Sequence, residues 1–304
     1  MNAWAALHVA LLLVGPIYFV GIVNRTKSIW GGRRGPRLDQ LFHDLVRLLR
    51  KEPVYSETTS VLVRAGPLVA LATAIVAAAI APVVSGYSIL SFPYDFVVFA
   101  YLLGLGRMFL MLAALDTGSA FEGMGASREA TFASFIEPAF FLTLGSFAVL
   151  SGESSFVRIL APSGHLGAGV IFGFVALLIF LQIEAARIPV DDPNTHLELT
   201  MIHEVMILDH SGPDLAALQT AAALKMFTCA GILAAVLNPF GIETHPAAAT
   251  VTSIALIAAT GVGVGLVESL VARLRMSALP RYALVAVLAS VVSVGLVVLR
   301  GGNA

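Results

Sequence analysis

Eight stretches of this 304-residue chain, at about 3–23, 67–84, 94–115, 132–151, 166–187, 214–237, 247–271 and 282–299, are nearly uninterrupted apolar runs. A helix rises about 1.5 Å per residue and the hydrocarbon core of a bilayer is about 30 Å thick, so roughly 20 apolar residues make one crossing. Every run is of that order, and none alternates as a barrel strand does. Helices satisfy their own backbone hydrogen bonds in lipid, where water cannot. The expected fold is therefore all-α and integral to a membrane, with eight transmembrane helices in a single polytopic unit over 1–304. Composition agrees: 12% of residues are charged, against about 25% in soluble domains. No internal repeat stands out, which argues against a transporter built from inverted halves. The first run has no basic n-region and no small-residue cleavage pattern, so it is expected to be a retained span rather than a signal peptide.

Charge sets the expected orientation. Of the 18 Lys and Arg residues, fourteen fall in segments 24–66, 116–131, 188–213 and 272–281, counting Arg187 at its span end. Arg158 and Arg300 lie in the opposite segments, and Arg107 and Lys225 lie within spans. The positive-inside bias makes those four segments the inner loops, with both termini outside. In the first inner loop Leu38, Leu41, Phe42, Leu45, Leu48 and Leu49 recur at helical spacing opposite Arg37, Asp39, His43, Asp44, Arg47 and Arg50. This predicts an amphipathic helix on the cytoplasmic side, at the membrane interface or against a partner, ended by Pro53. In 188–213, Asp192 as N-cap and Pro193 at the first helical position predict a helix to about Leu208.

Residues 182–214 carry seven carboxylates, one Arg and three His between two apolar runs. Ionisable groups beside hydrocarbon are costly, so this segment marks an ion path or a docking surface. The spans themselves hold Arg107, Asp116, Glu137, Glu184, Arg187, Lys225 and Glu268. Most sit within about two turns of the inner ends. Lys225 lies some eleven residues into its span, and a Lys stem of about 6 Å covers only about four residues of helix rise, too few for snorkelling. A polar funnel from the inner side, with Lys225 at its deep end, is the expected arrangement. Glu268 and Arg187 fit snorkelling, and Glu184 and Arg187 share a helical face on which they could pair. Glu198 and Glu204 are the relay candidates at the funnel entrance.

Several chemistries find no support. His196, His203 and His210 are seven residues apart, about 10 Å if helical, too far for two to share one metal. His203-Glu204 lacks the second His of a zinc-protease helix, since position 207 is Ile. These histidines are expected to act as partner contacts or proton relays, or simply to be solvated. Cys229 is the single cysteine, and a cluster would need about four thiolates. With no phosphate loop and a net charge of -1, neither nucleotide nor nucleic-acid binding is expected. No cofactor or metal is expected on this chain. The Gly-rich stretch 116–129 would pack under a partner subunit. Arg33, Arg34, Arg37, Glu122, Arg128, His196 and His203 are the docking candidates.

Gly32-Arg-Arg-Gly-Pro36 followed by Leu-Leu-Arg-Lys-Glu52, and Glu184-x-x-Arg187-x-Pro189-x-Asp191, resemble motifs of a known family. It is the membrane subunit shared by respiratory complex I (the NADH dehydrogenase subunit 1 family) and group 4 membrane-bound [NiFe] hydrogenases, including formate hydrogenlyase and hydrogenase 4. Leu115-Asp-Thr-Gly-Ser-Ala-Phe, Gly-Ala-Ser-Arg-Glu129 and Pro193-x-Thr-His-Leu-Glu-Leu-Thr-Met-x-His-Glu204 look like the hydrogenase branch. The quinone-reducing branch usually carries Asn where Ala186 stands and Phe where Val190 stands.

The resemblance implies a multi-pass protein of a bacterial or archaeal cytoplasmic membrane. It implies docking of hydrogenase large and small subunits and a ferredoxin-like iron–sulfur subunit beside antiporter-like membrane subunits. The [NiFe] centre and the clusters would belong to those partners, and proton or sodium movement would be coupled to electron transfer. Glu137, Glu184, Arg187, Asp191, Glu198 and Glu204 match the family's funnel positions, and Arg107, Asp116 and Lys225 join them from their placement in the spans. The alternative is a quinone-binding subunit of a complex I-type oxidoreductase.

Overall fold

A computed structural model describes residues 3–84, 86–161, 167–191 and 201–301. The described chain is helical: α1 (Ala3–Trp30), α2 (Gln40–Leu49), α3 (Val61–Ile80), α4 (Asp95–Asp116), α5 (Ala120–Ser151), α6 (Phe156–Ile159), α7 (Ala168–Glu184), α8 (His203–Met206), α9 (Gly212–Leu237), α10 (Pro246–Leu270) and α11 (Leu279–Gly301). Seven of these are long and apolar enough to cross a bilayer, and α7 is a shorter apolar helix of the same character. The protein is an all-α, multi-pass membrane protein.

α9 is the axis of the bundle. In its most apolar window 72% of residues are buried, against 28–39% in the other six long helices. Its sequence explains this: Ala and Gly dominate and let neighbours approach from every side. α3 and α4 pack as one pair, α1 and α10 as another, and α5, α7 and α11 as a third group. The α1–α10 pair closes where Gly265 faces Thr26; a Cβ there would stand 2.7 Å from the threonine Cβ. In the third group a buried hydroxyl seam adds to the apolar contacts. Thr143 meets Ser290 at 2.9 Å, Ser146 meets Ser293 at 2.9 Å, and Ser293 donates to the Gly169 carbonyl at 2.8 Å. Such interhelical bonds carry helix association where lipid offers no hydrophobic drive. Phe140 links the centre, with its ring centroid 5.7 Å from Phe99 and 4.6 Å from Phe180.

Several boundaries differ from those expected. α1 runs to Trp30 rather than ending near 23, because Val23-Asn-Arg-Thr-Lys continues a helix without a breaker. α5 starts at Ala120, so most of the Gly-rich stretch expected as an inner loop forms its first turns. Gly125 fits there because Val205 presses against it: a Cβ would lie 2.4 Å from the valine Cγ1. The helix expected from Asp192 to Leu208 starts on residues outside those described. It is not continuous through 201–202, which are not helical; α8 begins only at His203. Asp191 binds that start, accepting from the amides of Ile202 at 3.0 Å and His203 at 2.9 Å.

Candidate functional site

The side chains that lipid tolerates least lie together where α4, α5, α7 and α9 meet. Arg107 of α4 is 6% exposed. Its Nε lies 3.1 Å from Glu129, its Nη1 donates to Glu137 at 2.7 Å, and its Nη2 donates to Glu184. The other oxygen of Glu184 accepts from Lys225 Nζ at 3.1 Å. Glu129 and Glu137 are eight residues apart on α5, a little over two turns, so one helix presents two carboxylates to one guanidinium. Three carboxylates thus face two cations, and one negative charge is left over. Each partner lowers the cost of burying the others, and truncating one member would leave a charge uncompensated. A cavity of about 20 Å³ lies beside the cluster, lined by Thr73, Arg107, Glu129, His203 and Lys225 among others. It has room for roughly one water.

The connection that leaves α7 feeds two further ion clusters. Ala186 has φ +47°, a left-handed conformation that turns the chain off the helical path. Glu184 and Arg187 therefore do not pair with each other. Arg187 instead reaches Asn24 and Glu268, each at 3.4 Å, and Lys27 lies 3.5 Å from Glu268. Glu268 is 5% exposed, so it is a buried carboxylate shared by two cations rather than a snorkelling one. Four residues after Arg187, Asp191 is fully buried and accepts from Arg273 at 2.9 Å as well as from the Ile202 and His203 amides at the start of α8. Glu184, Arg187 and Asp191 thus enter three separate clusters from one eight-residue span.

Two groups beside this connection titrate away from their ordinary values. Burial, reinforced by the Asp191 charge and opposed by Arg187, pushes the Glu204 carboxyl up to about 7. Burial and the Lys225 charge pull His203 down to about 4. His203 lines the cavity beside the Arg107 cluster.

The remaining candidates divide. Glu122 is 1% exposed and accepts from the Asp209 amide at 3.2 Å. Arg128 donates to the Met201 carbonyl at 2.8 Å and ties α5 to the same loop. Asp116 accepts from the Ser60 amide at 2.7 Å and closes the entry to α3; its carboxylate is not in the Arg107 cluster. Arg33 and Arg34 are exposed, and Arg37 pairs with Asp39 at 2.8 Å. His196 and Glu198 lie outside the described residues. Sequence reasoning did not single out Glu129 or Arg273. The eight-residue repeat of Glu along α5 was the available signal for Glu129; Arg273, in a loop, had none.

Comparisons with known proteins agree with this picture. The chain matches the NADH dehydrogenase family over residues 3–299. It is 30% identical over 236 residues to hydrogenase-4 component C of Escherichia coli K12, covering 77% of this chain and 74% of that protein. It is 28% identical over 280 residues to formate hydrogenlyase subunit 4 of the same organism, covering 89% and 90%. In fold it resembles a chain of the archaeal membrane-bound sulfane sulfur reductase, a respiratory membrane complex, with a TM-score of 0.79 and 19% identity over 96% of this chain and 97% of that one.

Proposed function

From the premise that this chain belongs to the NADH dehydrogenase family, we propose that it is the anchoring and energy-coupling subunit of a membrane-bound hydrogenase complex. It docks a peripheral arm whose subunits carry the [NiFe] centre and iron–sulfur clusters. It links electron transfer in that arm to proton or sodium movement in antiporter-like neighbours. The likeness to hydrogenase-4 component C and formate hydrogenlyase subunit 4 supports this branch over the quinone-reducing one.

The observation that carries the reading is the Arg107 cluster. A protein that only anchored its partners would have no use for five charged side chains inside a helix bundle, given what each costs there. One surplus negative charge lets the cluster take up a proton without stranding a cation. Glu137 is the member nearest the outside, with its side chain 43% exposed. An ionised carboxylate so exposed along a membrane helix is costly against lipid, which favours a polar neighbouring subunit over it. A proton arriving at Glu137 weakens its hold on Arg107. The guanidinium then leans on Glu129 and Glu184, and Glu184 loosens Lys225. Displacement of Glu184 pulls on the connection through Arg187 and Asp191. Any movement imposed on that connection by a docked arm would run the sequence in reverse.

The test is to extract the tagged chain in mild detergent, identify its partners by mass spectrometry and measure nickel and iron. Nickel with iron–sulfur and antiporter-like subunits is the expected result. Iron without nickel, together with quinone or NADH-oxidising subunits, would overturn the hydrogenase reading in favour of a quinone-binding subunit.

A further inference from the structure

A cationic feature lies away from the Arg107 cluster. Where α1 and α10 end, a cleft of about 690 Å³ opens between them, lined by Asn24, Lys27, Ser28, Trp30, Arg33 and Glu268 among others. α1 has 28 residues, about 42 Å at the helical rise, against a hydrocarbon core of about 30 Å. Its last turns therefore stand at headgroup depth. Trp30 is 59% exposed and Ile29 62% exposed beside the cleft, the placement of a membrane-interface aromatic with an apolar neighbour dipping into lipid.

The cleft is built rather than incidental. The chain folds back at Gly32 (φ +68°) and packs Gly35 against Arg25, where a Cβ would lie 3.0 Å from the arginine Cα. The amides of Gly31, Gly32 and Arg33 donate to the carbonyls of Lys27, Ile29 and Ser28 at 3.0, 3.0 and 2.9 Å. The helix-end carbonyls are thereby occupied and do not compete for the cations. The charge balance is positive. Glu268, the one acid on the wall, is already shared by Arg187 and Lys27. No ion pair involves Arg33, Arg34 or Arg25 among the described residues.

We propose that this cleft holds the phosphate headgroup of an anionic phospholipid, with Arg33 and Lys27 on the phosphate, the Asn24 side-chain amide as a hydrogen-bonding neighbour, and Trp30 at the acyl boundary. Arg suits the task because its planar fork matches phosphate. Basic pockets at the ends of membrane helices are where anionic headgroups bind. The assignment does not depend on whether the chain couples ion movement.

The experiment places the purified complex in nanodiscs of phosphatidylcholine containing phosphatidylglycerol and counts retained phosphatidylglycerol by native mass spectrometry. Arg33→Gln is expected to lower occupancy of one tightly held lipid about fivefold, the effect of one basic residue near an anionic surface. Arg37→Gln, whose arginine is paired with Asp39 outside the cleft, should leave occupancy unchanged. Equal retention in wild type and Arg33→Gln overturns the proposal. So does displacement of the lipid by millimolar inorganic phosphate, which would make this a soluble-anion site. A photo-crosslinker at position 30 that captures a partner polypeptide instead of lipid overturns it as well.

Discussion

Arg107 concentrates the energetics of the molecule in one side chain. It touches three carboxylates at 6% exposure, so removing it leaves those three facing Lys225 alone. Arg107→Met should cost on the order of 3–5 kcal/mol, the range for breaking a buried ion pair from one side. Thermal unfolding of the detergent-solubilised complex would read this as a large drop in midpoint; an unchanged midpoint would mean that the carboxylates are protonated or reached by water. Glu204 makes a different prediction. Its folded value of about 7 lies above the ordinary 4.5, so between those values the folded state binds the proton that an unfolded chain has released. Its contribution to stability is therefore full below about 4.5 and declines as pH rises through 7. An infrared carbonyl signal from a protonated carboxyl should fade on raising the pH through about 7. The same signal should be missing in Glu204→Gln at any pH. A signal that persists in the variant would belong to another residue.

At the scale of elements, the small residues decide how close helices come. Gly125 lets α8 sit on α5, with the Ile202 carbonyl 2.9 Å from where a Cβ would be. Gly125→Ala should push the 201–209 loop outward and cost about 1–3 kcal/mol of overpacking. Hydrogen exchange should then rise in 201–210 while α3, remote from this contact, keeps its protection; equal exchange in both variants would show that the loop yields without moving. Much of this architecture was legible in the sequence. Runs near 20 apolar residues announced the long helices, and the spacing of Leu38, Leu41, Phe42 and Leu45 announced α2. What the sequence could not show was direction after a helix ends. Glu184 and Arg187 sit three apart and look like a pair, but Ala186 turns through φ +47° and sends them to different partners. Likewise Glu268 at a helix end looked like a snorkelling acid until Lys27 of α1, some 240 residues earlier, was seen across from it. Such pairings depend on tertiary approach, and local spacing does not encode them.

At the scale of the whole molecule the three ion clusters form one connected device. Glu184, Arg187 and Asp191 tie the Arg107 cluster, the α1–α10 end and Arg273 to a single short connection. The coupling proposed above would use this arrangement, because a displacement imposed on the connection would reach all three clusters at once. Glu137→Gln tests this directly. Gln keeps the size and the hydrogen-bond acceptor for Arg107 but cannot take up a proton, so assembly should survive. A positioned proton-transfer group contributes about 10²–10⁴-fold in rate, so ion movement per electron transferred should fall by at least about tenfold in proteoliposomes while electron transfer itself continues. Lys225→Met removes the cation at the deep end and should also depress ion movement. If pumping is unchanged in both variants, the cluster is structural, its charges serving only to neutralise one another, and coupling must run through residues elsewhere in the complex.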